Sequence, residues 1–311
     1  MAGKVVVFGS FVVDLTSRSR GLPVPGQTLL GSSFKLGPGG KGSNQAVAAH
    51  RAGADVIFIT KIGKDVFGRV ILDFYRQEKM NTDYIIEDEA QTTGAALIMV
   101  DEISGQNMIT VTSGACGRIT PADVARASAV VRDADVLLLQ LEVNMDATEE
   151  IAAIAHAWGK KIVLNTAPAQ PVSDKLLSCV SIVTPNETEA EVLTGIAVET
   201  AADARRAAEV FLRKGLQGVV ITLGAKGAFV TDGQKYELLD PIKMKQVVDT
   251  TGAGDAFNGG FAMALAEGHD LFTAAKYGNV AGALSVTQYG TAPAMPVRAE
   301  IDRLFSQTYL K

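Results

Sequence analysis

The stretch from residue 121 to 164, PADVARASAVVRDADVLLLQLEVNMDATEEIAAIAHAWGKKIVL, decides the fold. Pro121 opens an alanine-rich run to residue 132 that reads as a helix. Residues 136–140 are a short, almost unbroken apolar run, 147–158 a second helical stretch and 161–164 a second apolar run. A helix set between two short runs without polar alternation is the pattern of parallel strands covered on both faces. The rhythm extends outward in both directions. Strands at 4–8 and 55–60 alternate with helices at 43–52 and 66–79. Strands at 181–184 and 218–223 alternate with helices at 187–193 and 201–214. This predicts an α/β fold with a doubly wound, largely parallel sheet flanked by helices.

Two segments break the rhythm. Residues 27–36 and 93–112 have no helical period, and the second alternates around the polar turn 101–107, so they read as added strands, the second a hairpin. They interrupt the core at two separate points. The expectation is therefore a small β-sheet lid from 14–41 and 92–113, over a core of 1–13, 42–91 and 114–311.

The 311 residues carry 29 basic and 34 acidic side chains, a formal net charge of −5. No basic field for gripping a phosphate backbone exists, which argues against nucleic acid as a partner. No apolar run approaches the roughly 20 residues that span a bilayer, and the N-terminus reads as a first strand rather than a signal peptide. Cys116 and Cys179 are too few for a disulfide framework, so a reducing cytoplasm is expected. His50, His156 and His269 are scattered without metal-ligand spacing, which argues against a zinc enzyme.

The chemistry is concentrated in two glycine clusters. Asp249-Thr250-Thr251-Gly252-Ala253-Gly254-Asp255-Ala256-Phe257 opens a helix expected through 256–265, so free amides sit at the positive end of a helix dipole. Glycine at 252 and 254 clears the approach of a phosphate. Asp255 places a carboxylate beside that anion hole, which suits a base deprotonating a hydroxyl while the amides take up charge on a transferring phosphoryl group. The second cluster, Gly37-Pro38-Gly39-Gly40-Lys41-Gly42-Ser43-Asn44-Gln45-Ala46, joins exposed amides to one cation and two amide side chains, a set that can bind several sugar hydroxyls. Asp14 follows the first strand at its carboxyl end, where open α/β sheets bind ligands. Asn186 and Glu189, three apart at a helix start, can hold magnesium through water. Thr222-Leu223-Gly224-Ala225-Lys226-Gly227 ends another strand and can lie along a nucleotide. Neither the P-loop nor the G-x-G-x-x-G dinucleotide pattern is complete.

Taken in order, these segments resemble the ribokinase (PfkB-type carbohydrate kinase) family: Gly9-Ser10-x-x-x-Asp14, GGKGSNQA from Gly39, TPNETEAE from Thr184, TLGAKG from Thr222 and DTTGAGDAF from Asp249. The resemblance runs over nearly the whole chain. It implies ATP as phosphoryl donor, magnesium, and a free sugar as acceptor. By that resemblance Asp255 is the catalytic base, with the Gly252, Ala253 and Gly254 amides as the anion hole. Asp14, Gly40, Lys41, Asn44 and Glu142 match sugar-binding positions. Asn186, Thr222, Gly224, Lys226, Gly227, Gly254 and Asn279 match ATP-binding positions, and Glu189 a magnesium position. A monovalent cation, potassium, matches Asp249, Thr251, Ser285, Gln288 and Gly290. The resemblance also implies a homodimer through the lid sheets.

Two departures matter. Ala294 stands where such kinases usually have Ser in the cation loop. Val12 stands where ribokinases commonly have Asn, and an apolar side chain makes no hydrogen bond to a sugar hydroxyl, a feature shared with deoxyribokinases. A buried hydroxyl left unpaired costs roughly 1 to 3 kcal/mol, enough to erase a preference for ribose. The expected activity is transfer of the γ-phosphoryl group of ATP to O5 of D-ribose. The alternatives are 2-deoxy-D-ribose as acceptor and, behind it, another sugar or nucleoside. A sugar- or nucleotide-binding regulator that had lost catalysis would show erosion of the base or anion hole, yet Asp255, Gly252 and Gly254 are intact.

Overall fold

The computed structural model describes residues 2–310. A nine-stranded sheet runs, edge to edge, through Tyr236–Leu239, Ala228–Thr231, Gly218–Thr222, Ile182–Val183, Lys161–Leu164, Val136–Leu139, Lys4–Phe8, Asp55–Gly63 and Ile85–Asp88. The last seven are parallel, and the first two form an antiparallel hairpin on one edge. The central strands are buried over almost their whole length, which explains their unbroken apolar runs. Helices Pro121–Arg132, Met145–Ala157 and Ala201–Arg213 bury one apolar face of the sheet. Helices Lys41–Arg51 and Ala253–Ala266 help bury the other.

The helix at Pro121–Arg132 starts where the sequence expects, because Thr120 at its N-cap and Asp123 form a reciprocal capping box around Pro121. The edge hairpin is additional to the sequence reading, as are the short strand Ile85–Asp88 and the helices Asp174–Cys179, Leu271–Ser285 and Arg298–Tyr309.

A second, four-stranded sheet orders Ser33–Gly39, Val12–Ser19, Thr93–Asp101 and Asn107–Gly114. Thr93–Asp101 and Asn107–Gly114 form the expected hairpin, and Val12–Ser19 pairs parallel to its first strand. The strand expected at 27–36 lies instead at Ser33–Gly39, running up to the glycine-rich turn before helix Lys41–Arg51. Asp14 consequently sits inside a lid strand, opposite Gly37 and Ala96, rather than in the turn after the first core strand.

Candidate active site

The anion turn is built by one backbone conformation. Gly252 caps helix Ala253–Ala266 with φ 80°, in the left-handed region that L side chains resist, and no side chain occupies the helix start. Ala253 N donates to Thr250 O at 3.3 Å, while the Gly252 and Gly254 amides are left for a ligand. They border a cavity of about 190 Å³ whose wall includes Lys41, Asn186, Glu189, Thr222, Gly252–Gly254 and Asp255.

Asp255 lies one turn into the helix and is only 7% exposed. Asn44 Nδ2 donates to its Oδ2 and Gln45 Nε2 to its Oδ1, both at 2.9 Å. Burial pushes its carboxyl up. The Lys41 charge and the Gln45 and Asn44 amides pull in the opposite direction. Lys41 is the first residue of its helix. Burial works against its charge, but Asp255, Glu142 and Glu189 hold the ammonium above its usual range. One cation therefore compensates three carboxylates. Glu142 is fixed below it, accepting from Lys41 N at 2.8 Å and from Ser10 Oγ.

Glu189 and Asn186 cap helix Glu187–Thr194 reciprocally, with Asn186 N donating to Glu189 Oε2 and Asn186 Nδ2 to Oε1. Thr166 Oγ1 adds a third donor, to Oε2. Burial raises the Glu189 carboxyl, opposed by the Asn186 amide and Lys41. Among the described residues no group of three or more His, Cys, Asp or Glu side chains is placed to hold a metal directly. Glu189, the carboxylate on this cavity wall other than Asp255, is an oxygen donor of the kind that holds a hydrated magnesium through water.

On the other side of the glycine-rich turn, the space between lid and core has a volume of about 550 Å³ and is bordered by Asp14, Gly37 and Pro38 from the lid and by Asp249, Gly290 and Thr291 from the core. Burial pushes Asp14 up to about 6, with Glu142 and Asp255 adding to the rise and a hydrogen bond with Thr291 opposing it. A Cβ on Gly39 would fall on the Asp14 carboxylate, so the glycine run is also a packing requirement. Asn44 Oδ1 is buried without a partner in the protein, an acceptor left for a ligand hydroxyl. Val12, 4% exposed, lies beside the Gly40 backbone and borders neither cavity.

The expected cation residues fall in one loop region. Asp249 accepts from Thr251 N at 2.9 Å and Gly290 N at 3.1 Å, which ties the anion turn to the 290–295 segment. Ser285 is buried at a helix end with its hydroxyl on Gly282 O, Gln288 is exposed, and Ala294 is buried in the short turn Ala292–Ala294. On the nucleotide side, Asn186 and Thr222 form a parallel bridge and border the smaller cavity. Gly224, Lys226, Gly227 and Asn279 border neither cavity. Lys226 Nζ donates to Glu199 O, and Asn279 Nδ2 to Asp240 O and Tyr309 Oη.

Asn165, Asn258 and Thr291 join the site without having been singled out from sequence, whereas Gln45 and Ser10 stand in motifs the sequence marks. Gln45 stands next to Asn44 in the same motif. Asn165 carries no local signal, because only the sheet topology brings its Oδ1 to Gln45 Nε2, whereas Asn258 lies one turn beyond Gly254 in the same helix and donates its Nδ2 to Gly254 O.

The model of the pfkB family carbohydrate kinases matches residues 2–298. A ribokinase of Haemophilus influenzae is 43% identical over 300 residues, 96% of this chain and 97% of that protein. A deoxyribokinase of Salmonella typhi is 36% identical over 94% of this chain and 95% of its own length. The structure of Arabidopsis thaliana ribokinase complexed with ribose and ATP superposes with a TM-score of 0.90 at 30% identity, covering 98% of this chain and 99% of that one.

Proposed function

The chain belongs to the pfkB family of carbohydrate kinases, and on that premise we propose that it transfers the γ-phosphoryl group of ATP to O5 of D-ribose, giving D-ribose 5-phosphate and ADP. One observation carries this reading. The Asp255 carboxylate is buried, held by two amide donors, and borders the same small cavity as Gly252–Gly254, whose glycine amides are free, and the Lys41 side chain. That is a base next to an anion hole. Asp255 takes the O5 proton, the new O5–phosphorus bond forms as the bond to the ADP oxygen breaks, and the amides and Lys41 take up charge on the phosphoryl oxygens. The similar ribokinases support ribose as acceptor.

Asp14, Asn44, Lys41, Gly40 and Glu142 are the groups assigned to the sugar. Asp14 and Glu142 act as acceptors and Asn44 Oδ1 as a further acceptor. Asn186, Thr222, Gly224, Lys226, Gly227 and Asn279 are assigned to ATP. Glu189 would hold magnesium through water, and magnesium there supplies charge neutralisation on the phosphates. Asp249 and the carbonyls of its loop would hold potassium, with Thr251, Ser285, Gln288 and Gly290. The four-stranded sheet acts as the lid that excludes water, which would otherwise compete with the sugar. Its exposed Phe34, Leu97, Met108 and Val111 make it the surface for a homodimer, and gel filtration giving only monomer would count against that. No helix among the described residues is long and apolar enough to cross a membrane, and the cytoplasm is the proposed location.

A second reading, 2-deoxy-D-ribose as acceptor, is favoured by the similarity to a deoxyribokinase. A coupled ADP-release assay with Mg-ATP and potassium, comparing kcat/KM for the two sugars, separates them. A tenfold preference for ribose, about 1.4 kcal/mol, supports the first reading. A preference for deoxyribose replaces it with the second, and turnover of neither moves the acceptor to another sugar or nucleoside.

A further inference from the structure

Behind Asp255 runs a buried chain of side-chain amides that the reaction itself does not touch. Gln45 Nε2 donates to Asp255 Oδ1 and to Asn165 Oδ1, each at 2.9 Å, and Gln140 Nε2 donates to Gln45 Oε1 at 2.7 Å. Gln45 and Gln140 are both 0% exposed. Gln140 follows the central strand Val136–Leu139 and Gln45 lies in helix Lys41–Arg51, so the link joins two rigid elements.

The direction of this chain is dictated from one end. An ionised carboxylate can only accept, so Gln45 must present its NH₂ group to Asp255, and its oxygen then faces Gln140. Gln140 must in turn present its own NH₂ group. Its oxygen, Oε1, is left against Gly9 and has no hydrogen-bond partner. A buried amide that leaves its own acceptor unpaired while donating to another amide is set for the donor role. A Cβ on Gly9 would fall on Gln140 Oε1, so the glycine after the first strand makes the room this amide needs.

We propose that Gln140 is a positioning residue: it locks the Gln45 amide with its donor toward Asp255, and through Gln45 it keeps the base ionised and aimed. Resting on the reading of Asp255 as the base, the proposal extends that reading to a residue that touches neither sugar nor nucleotide. Four charged groups face Asp255 from the surrounding elements: Lys41 on helix Lys41–Arg51, Glu142 after strand Val136–Leu139, Asp14 on the lid strand and Glu189 on helix Glu187–Thr194. Gln140 alters none of their charges, so its effect passes through the Gln45 amide.

A double-mutant cycle of Gln140→Met and Gln45→Met tests this, since Met keeps length and apolar packing while removing the amide. In the wild-type background Gln140→Met is expected to lower kcat about tenfold with KM for ATP unchanged, a size typical of a slightly misplaced catalytic group. The acid limb of the kcat–pH profile should move to higher pH, because a base deprived of a donor holds its proton longer. In the Gln45→Met background the same change should cost less than about twofold, since the residue it acts through is gone. Equal losses in both backgrounds, or an unmoved acid limb, would overturn the proposal. A second readout does not depend on the acceptor: the Asp255 carboxyl titration in aspartate-labelled full-length protein, followed by carboxyl-carbon NMR and assigned with Asp255→Asn. A midpoint raised by Gln140→Met supports the lock even if ribose is not phosphorylated. An unchanged midpoint refutes it even if ribose is.

Discussion

The two halves of the site are built in opposite ways. The floor around Asp255 is a cavity of about 190 Å³ made by helix starts and strand ends of the core, with Asp255 at 7%, Asn44 at 4% and Glu189 at 6% exposure. The space under the lid is nearly three times larger, about 550 Å³, and the sheet above it exposes Phe34 at 65% and Leu97 at 54%. Under the proposed function, that difference divides the work. Chemistry sits where side chains are locked by hydrogen bonds and cannot reorganise during reaction. On the proposed reading, admission and shielding of the sugar fall to the four-stranded sheet, which carries exposed apolar surface.

If the floor is a preorganised charge cluster, removing its one cation is the most damaging change short of removing the base. Lys41→Met should lower kcat by about a hundredfold, because it leaves three neighbouring carboxylates uncompensated and removes a donor from the phosphoryl oxygens. Steady-state kinetics check this, together with an acid limb of the kcat–pH profile moved to higher pH. A smaller effect follows from the left-handed turn. Gly252→Ala places a side chain at φ 80°, a strain of about 1 to 2 kcal/mol, and the amides it displaces should cost kcat about tenfold while sugar KM stays put.

The lid side should respond in binding and stability rather than turnover. Burial raises Asp14 from the ordinary carboxylate range to about 6, so between those pH values the folded chain holds more protons than the unfolded one. Stability contributed by Asp14 therefore falls as pH rises through that window. Asp14→Asn is expected to raise Tm at about pH 8 but not at about pH 4, with a higher sugar KM at both. A Tm gain independent of pH would contradict this. The smallest effect is expected at Val12, which borders neither cavity: Val12→Asn should raise the ribose-to-deoxyribose ratio of kcat/KM by no more than about tenfold.

How much of this was legible in the sequence varies with the range of the signal. The helix at Pro121–Arg132 was legible because its capping box and proline are local. The parallel core strands were legible because burial on both faces leaves no polar alternation. The edge hairpin Ala228–Thr231 and Tyr236–Leu239 carried a signal too, Asp232-Gly233, with Asp232 Oδ1 accepting from Gln234 N and Lys235 N. The candidate site was legible where glycine clusters preceded helices, as at Gly40 and Gly252. It was not legible at Asn165, which meets Gln45 across 120 residues of chain, or at Thr291, whose Oγ1 meets Pro38 O only once the lid is folded over the core. Neither belongs to a spacing pattern, and only the strand order brings them in.

The central claim is that Asp255 deprotonates the sugar in front of the amide turn. The measurement that tests it most directly is turnover of Asp255→Asn with D-ribose and Mg-ATP, alongside binding of each substrate. kcat is expected to fall by about three orders of magnitude while sugar and ATP still bind and the fold is kept. Near-wild-type turnover by that variant would contradict it.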